Sequence, residues 1–118
     1  MPMTNQEAFD KVVTHLLTQN QRAYDEEEDT CRYRWGPLSC AVGCLIPDDQ
    51  YNRGMEGQSV HGLVRAEVCP APAVLGGLDL SLLGDLQHIH DNIMVEEWGE
   101  YLKDLASENN LEYKGVAA

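Results

Sequence analysis

The chain has 118 residues, is 43% hydrophobic and 7% aromatic, and carries a formal net charge of −12 from 20 acids and 8 bases. That length suits a single domain burying roughly two-thirds of the surface its unfolded chain exposes, so folding requires neither a disulfide nor a metal. The charge argues against direct binding to a phosphate backbone, which needs clustered Lys and Arg, and favours solubility and basic partners.

The imbalance grows along the chain. Up to Ala66 there are 10 acids and 6 bases, whereas from Glu67 onward 10 acids meet only Lys103 and Lys114. Residues 1–21 have polar and acidic positions where a secretory signal would need an apolar core. No apolar run approaches the roughly 18–20 residues of a membrane span. The expectation is therefore a cytoplasmic protein without membrane contact, with Cys31, Cys40, Cys44 and Cys69 as free thiols.

Thr4-Asn5-Gln6-Glu7 has the form of a capping box. Phe9, Val12, Val13, Leu16 and Leu17 then repeat at helical spacing and predict a helix from about Asn5 to Thr18. Asp25, Glu26, Glu27, Glu28 and Asp29 are five consecutive acids, which repel one another and predict a solvated loop. They offer a contact for a basic surface, against the plainer reading of an exposed turn. Cys31, Tyr33 and Trp35 alternate with Arg32 and Arg34, the period of a short strand. Gly36-Pro37 makes a turn, with Leu38 beginning a return strand.

Ser39 to Ile46 is nearly all apolar, and periodicity alone does not separate a buried strand from a buried helix there. A short helix capped by Ser39 and ended by Pro47 is the preferred reading. Pro47 to Tyr51 reads as one helical turn and Asn52-Arg53-Gly54 as another turn. Glu56 reads as a lone exposed or capping carboxylate. A second short helix is expected over Ser59 to Val68, stopped by Cys69-Pro70, followed by a surface loop from Val74 to Leu80. Ser81 then caps a helix carrying Leu82, Leu83, Leu86, Ile89 and Ile93. After a short break, a last helix carries Trp98, Tyr101, Leu102, Leu105 and Ala106, antiparallel to its predecessor. Residues after Tyr113 read as a loose tail. The expected fold is α+β and mostly helical: an N-terminal helix, a short β-hairpin, a buried short helix and a C-terminal antiparallel helix pair. It forms one domain over 1–118 with an ordered core of about 4–113.

The cysteine spacing, C-x8-C-x3-C-x24-C, lacks the C-x2-C pairs of usual structural zinc sites, and all four cysteines sit among apolar residues. Cys31, Cys40 and Cys44 are weak metal candidates for that reason. His88 and His90 are two apart and do not face each other on a helix. His90-Asp91 reads as a local acid–base pair or a helix-end interaction. No phosphate-loop or nucleophile-elbow motif is present, no catalytic residue is assigned, and no cofactor is expected. Arg32 and Arg34, beside Tyr33, Trp35 and Tyr51, could grip a phosphate and stack a base. The plainer reading pairs them with the acidic loop.

The segments Cys31-Arg32-Tyr33-Arg34, Cys40-Ala41-Val42-Gly43-Cys44-Leu45-Ile46-Pro47-Asp48, Met55-Glu56-Gly57 and Leu86-Gln87-His88-Ile89-His90-Asp91, with Tyr51 and Trp98, resemble a group of small uncharacterised proteins of tailed phages, prophages and their bacterial hosts. The resemblance spans about Gln6 to Tyr113. It implies a phage or prophage accessory protein acting in bacterial cytoplasm and transfers no catalytic residue. Three functional expectations follow. The first is an acidic interaction protein that binds and modulates a host protein with a basic surface. The second is a nucleotide-binding module built on Arg32 and Arg34. The third is a zinc protein. An exposed apolar patch on the C-terminal helices would favour a homodimer.

Overall fold

A computed structural model describes residues 3–51, 53–56 and 78–116. The expected helix over 59–68, Cys69 and most of the 74–80 loop lie outside these residues. The architecture is α+β and mostly helical, as the sequence predicts. Helix α1 spans Asn5–Gln19. The Thr4 hydroxyl accepts the Glu7 N–H, and the Glu7 carboxylate accepts the Thr4 N–H, which is the reciprocal cap the sequence announces. Asn20 closes the helix in the left-handed conformation at φ 51°. Ala8, Phe9, Val12, Val13 and Leu16 are buried along one face.

Two small antiparallel hairpins follow, where the sequence suggested one. Strands β1 (Tyr24–Asp25) and β2 (Thr30–Cys31) flank the acidic turn, with Asp25 opposite Thr30. Strands β3 (Arg34–Trp35) and β4 (Leu38–Ser39) flank Gly36-Pro37, with Arg34 opposite Ser39 and Trp35 opposite Leu38. The predicted run from Cys31 to Trp35 is divided between the two hairpins: the Arg32 N–H continues the first ladder to the Ala23 carbonyl, 2.8 Å away, and Arg34 begins β3. Gly36 takes φ +60°, a conformation that suits a residue without Cβ.

The apolar segment after Ser39 is neither a strand nor a full helix. A turn leads into a 3-10 helix over Gly43–Leu45, and Ser39 belongs to β4 rather than to a cap. The tightness has a specific cause. A Cβ on Gly43 would lie 2.1 Å from the Tyr33 carbonyl oxygen, so the backbone here packs directly on the hairpin region. Single 3-10 turns cover Asp48–Gln50 and Arg53–Met55. Glu56 is not a surface carboxylate. It accepts the Tyr33 and Arg34 backbone N–H groups at 2.8 and 3.1 Å, and the Tyr51 hydroxyl as well.

Helix α2 spans Leu80–Asn92, capped by Asp79 rather than by Ser81: the Asp79 carboxylate accepts the Ser81 and Leu82 N–H groups. A 3-10 turn over Val95–Glu97 leads into α3, Trp98–Glu108. Leu82, Leu83, Leu86, Ile89, Trp98, Leu102 and Leu105 meet Phe9, Val12, Leu16, Val42 and Leu45 in one core. The segment after α3 is tied to α1 at two points. Gln6 exchanges hydrogen bonds with the Glu112 backbone, and Lys114 reaches Asp10 at 3.3 Å. No helix among the described residues is long and apolar enough to cross a membrane.

Two glycines should respond oppositely to alanine. Gly43→Ala must displace backbone and should cost about 3 kcal/mol or more. Gly84, inside α2, has nothing within 4 Å of an added Cβ. Gly84→Ala should therefore stabilise by about 0.5–1 kcal/mol through helix propensity and a less flexible unfolded chain. Urea unfolding of both variants checks the pair, and a shift of the same sign in both would contradict the packing described.

Candidate functional site

An open cleft of about 970 Å³ lies between the first hairpin and the end of α2. Its walls carry Glu26 and Glu27 from the β1–β2 turn, Asp91 from α2 and Glu96 from the turn before α3. Trp35 and Leu38 supply apolar surface, and Trp35 is 41% exposed.

Behind the cleft residue Asp91 lies His90, whose side chain is fully buried. Its Nε2 accepts the Ala23 backbone N–H at 3.1 Å. A backbone amide can only donate, so the ring proton must reside on Nδ1, which donates to Asp91 Oδ1 at 2.7 Å. Gln87 Nε2 donates to the same oxygen at 2.9 Å. The imidazole stacks on Trp98, with ring centroids 5.7 Å apart. Arg22 donates its Nε–H to the His90 carbonyl and an Nη–H to the Ile93 carbonyl, closing the C-terminus of α2.

Cys31 Sγ, a His90 ring nitrogen and an Asp91 oxygen lie within 4.8 Å of one another, a spacing that invites a metal. The tautomer argues against it. Nδ1 carries the proton given to Asp91, and the Nε2 lone pair is taken by Ala23, so no imidazole lone pair faces the group. Nor is Cys31 an activated nucleophile. Burial raises its thiol pKa to about 11, the Asp91 carboxylate adds to the rise by charge and hydrogen bonding, and Arg22 opposes it only in part. Cys40 and Cys44 are inert for similar reasons. Cys40 Sγ accepts the Gly43 N–H, the Cys44 thiol donates to the Ala41 carbonyl, and burial pushes both pKa values up. Of the three weak metal candidates, only Cys31 joins any group of potential ligands among the described residues.

Arg32 and Arg34 both have partners within the chain. Arg32 pairs with Asp25 at 3.0 Å and lies over the Trp35 ring. Burial works against the Asp25 charge, but hydrogen bonds from Arg32 and from the Glu28 and Glu27 N–H groups outweigh it and hold that carboxyl below its usual range. Arg34 pairs not with the acidic loop but with Asp48, donates to the Ile46 carbonyl and stacks on Tyr51 at 5.0 Å.

The expected binding residues therefore separate. Asp25, Glu26, Glu27 and Trp35 line the cleft, whereas Glu28 and Asp29 are exposed beyond it. Tyr33 is a core residue, and Tyr51 is held by Arg34 and Glu56. Tyr24, Arg22, Leu38, Val95 and Glu96 are cleft residues that the sequence did not single out. Asp91 was visible only as a neighbour of His90. No family model, curated protein or solved structure matches the chain.

The Cys31 environment predicts slow alkylation. At pH 8, iodoacetamide should label Cys31 in the folded protein about tenfold or more slowly than a free cysteine, since the thiolate fraction falls faster than the intrinsic nucleophilicity rises. Asp91→Asn should accelerate it, and mass spectrometry of the labelled peptide reads both rates.

Proposed function

We propose that this chain acts by binding rather than by catalysis: a small acidic accessory protein that engages a protein with a basic surface and modulates or inhibits it. The observation that carries this reading is the cleft, which Glu26, Glu27, Asp91 and Glu96 line together with Arg22 and the exposed Trp35. Carboxylates gathered in a concavity with apolar walls focus the field and draw in cations. An exposed tryptophan beside them provides apolar and cation–π area for an arginine or lysine of the partner. The thiol at the cleft is held protonated, which supports binding over nucleophilic chemistry. A second copy of the chain is a poor occupant, since each copy carries a net charge of −12. The motif resemblance supports a phage or prophage setting, with a defence or nucleic-acid-handling protein of the bacterial cytoplasm as the partner. The acidic cleft would then compete with the phosphates such a protein normally meets.

A pull-down from host lysate tests this at low and high salt. A stoichiometric basic partner should be retained at low salt and weakened by salt, because exposed charges are screened beyond about 8–10 Å. Trp35→Ala should weaken the complex about tenfold or more. The double variant Glu26→Gln/Glu27→Gln should flatten the salt dependence. Charge-matched changes on α3, Glu100→Gln with Glu108→Gln, should leave it intact. A partner indifferent to the cleft variants, or no partner at any salt concentration, would overturn the reading.

A further inference from the structure

A second concavity, of about 540 Å³, lies on the other side of the β3–β4 hairpin. Its character is opposite to that of the acidic cleft. In a chain with 20 acids and 8 bases, Lys11, His15 and Arg34 all line it, with Ser39, Cys44 and Asp48. The hairpin explains the division. Successive strand residues face opposite sides, so the cross-strand pair Trp35–Leu38 serves the acidic cleft and the pair Arg34–Ser39 serves this one. Leu38 borders both.

The cationic groups here are positioned but incompletely used. The Arg34 guanidinium is held by the Ile46 carbonyl and by the Tyr51 ring, so its orientation is already fixed. Its Nε is buried without an acceptor. Its other partner is Asp48, whose side chain is 96% exposed. An ion pair that open to water contributes little and can be exchanged for another anion at small cost. Lys11 makes no ion pair with any described carboxylate. It lies close enough to Cys44 for its charge to favour the thiolate there, which places the ammonium at the cavity wall. His15 donates Nε2–H to the Ser39 carbonyl at 2.8 Å, and Nδ1 has no partner among the described residues.

We propose that this concavity binds a phosphate group, either as the free ion or as the phosphate of a small molecule. Arg34 and Lys11 supply the charge, and the Ser39 hydroxyl and His15 ring line the wall. With Nε buried and one Nη held by the Ile46 carbonyl, the Nη group now on Asp48 is the donor a phosphate oxygen takes up, and the ammonium serves as a mobile point charge. The volume falls in the range of small-ligand pockets, roughly 300–1,000 Å³, and leaves room beyond the phosphate itself. The site does not depend on the acidic cleft, so the two stand or fall separately.

Thermal unfolding and calorimetry with inorganic phosphate, pyrophosphate and AMP test it, each against sodium chloride at equal ionic strength. The chloride control matters because salt alone screens the self-repulsion of a −12 chain. A ligand of the native state must raise the unfolding temperature beyond that control. Lys11→Gln should weaken phosphate binding about threefold to fivefold without unfolding the protein, since Lys11 is exposed on α1. Lys103→Gln, a charge-matched change on α3, should leave binding unchanged. Arg34→Gln should abolish binding, with Lys11→Gln carrying the test if the loss of Arg34 perturbs the fold. AMP binding tighter than phosphate assigns a phosphorylated small molecule, and equal binding assigns the free ion. A shift no greater than that of chloride, or wild-type affinity in the Lys11 variant, overturns the proposal.

Discussion

The fold turns on one buried imidazole. A polar ring taken wholly out of water is tolerable only if both nitrogens find partners, because an unmet donor or acceptor in the interior costs about 1–3 kcal/mol. His90 meets that condition with a backbone amide from the connector after α1 and a carboxylate on its own helix. It also stacks on the first residue of α3, whose indole N–H runs to the Ile93 carbonyl at 3.0 Å. Arg22 ties the same connector to the last carbonyls of α2. The path of the chain from α1 into the first hairpin, the end of α2 and the start of α3 is therefore decided at one place. The acidic cleft is a consequence. Asp91 must point where His90 needs an acceptor, and that direction is the cleft.

What the sequence shows and conceals follows from the range of the interactions. The capping box at Thr4 and Glu7 and the apolar stripe of α1 are local, and the structure reproduces them within a residue or so. The cap of α2 falls at Asp79 rather than the expected Ser81 because both side chains are competent, and only the position of Leu80 inside the helix decides between them. The single strand expected over Cys31 to Trp35 crosses a boundary between two hairpins: Arg32 extends the ladder of the first to Ala23, and Arg34 opens the second. The segment from Cys40 to Ile46 was undecidable for a related reason. Its tight turn is imposed by the Tyr33 carbonyl pressing on Gly43, a contact that no periodicity encodes. The candidate site was half legible. Glu26, Glu27 and Trp35 announce themselves by charge and exposure, whereas Asp91 and Glu96 join them only through tertiary packing. Tyr33 shows the converse: an aromatic beside two arginines reads as a binding residue, yet this one fills the core.

The β3–β4 hairpin is too short to hold its own shape, since two paired residues per strand give little intrinsic stability. Its geometry is supplied from outside. Glu56 accepts the Tyr33 and Arg34 amides, while Gln19 and His15 grip the Ser39 backbone. Trp35 on one face and Arg34 on the other are thus set by the same few hydrogen bonds.

The distribution of charge follows from how the cations are used. Arg22 donates to carbonyls at a helix end, and Arg34 divides its donors between a carbonyl and an exposed aspartate. A carbonyl satisfies a guanidinium's hydrogen bonds without neutralising its charge, and it leaves a carboxylate elsewhere without a cation. Among the described residues only Asp25, Asp48 and Asp10 pair with a lysine or arginine. At the cleft Asp25 is paired with Arg32, whereas Glu26, Glu27 and Glu96 pair with no lysine or arginine among the described residues, and Arg22 beside them gives its donors to carbonyls. A net charge of −12 need not concentrate anywhere, but here Glu26, Glu27, Asp91 and Glu96 share one cleft with Trp35, with Arg22 at its wall and Arg32 over the indole as the neighbouring cations.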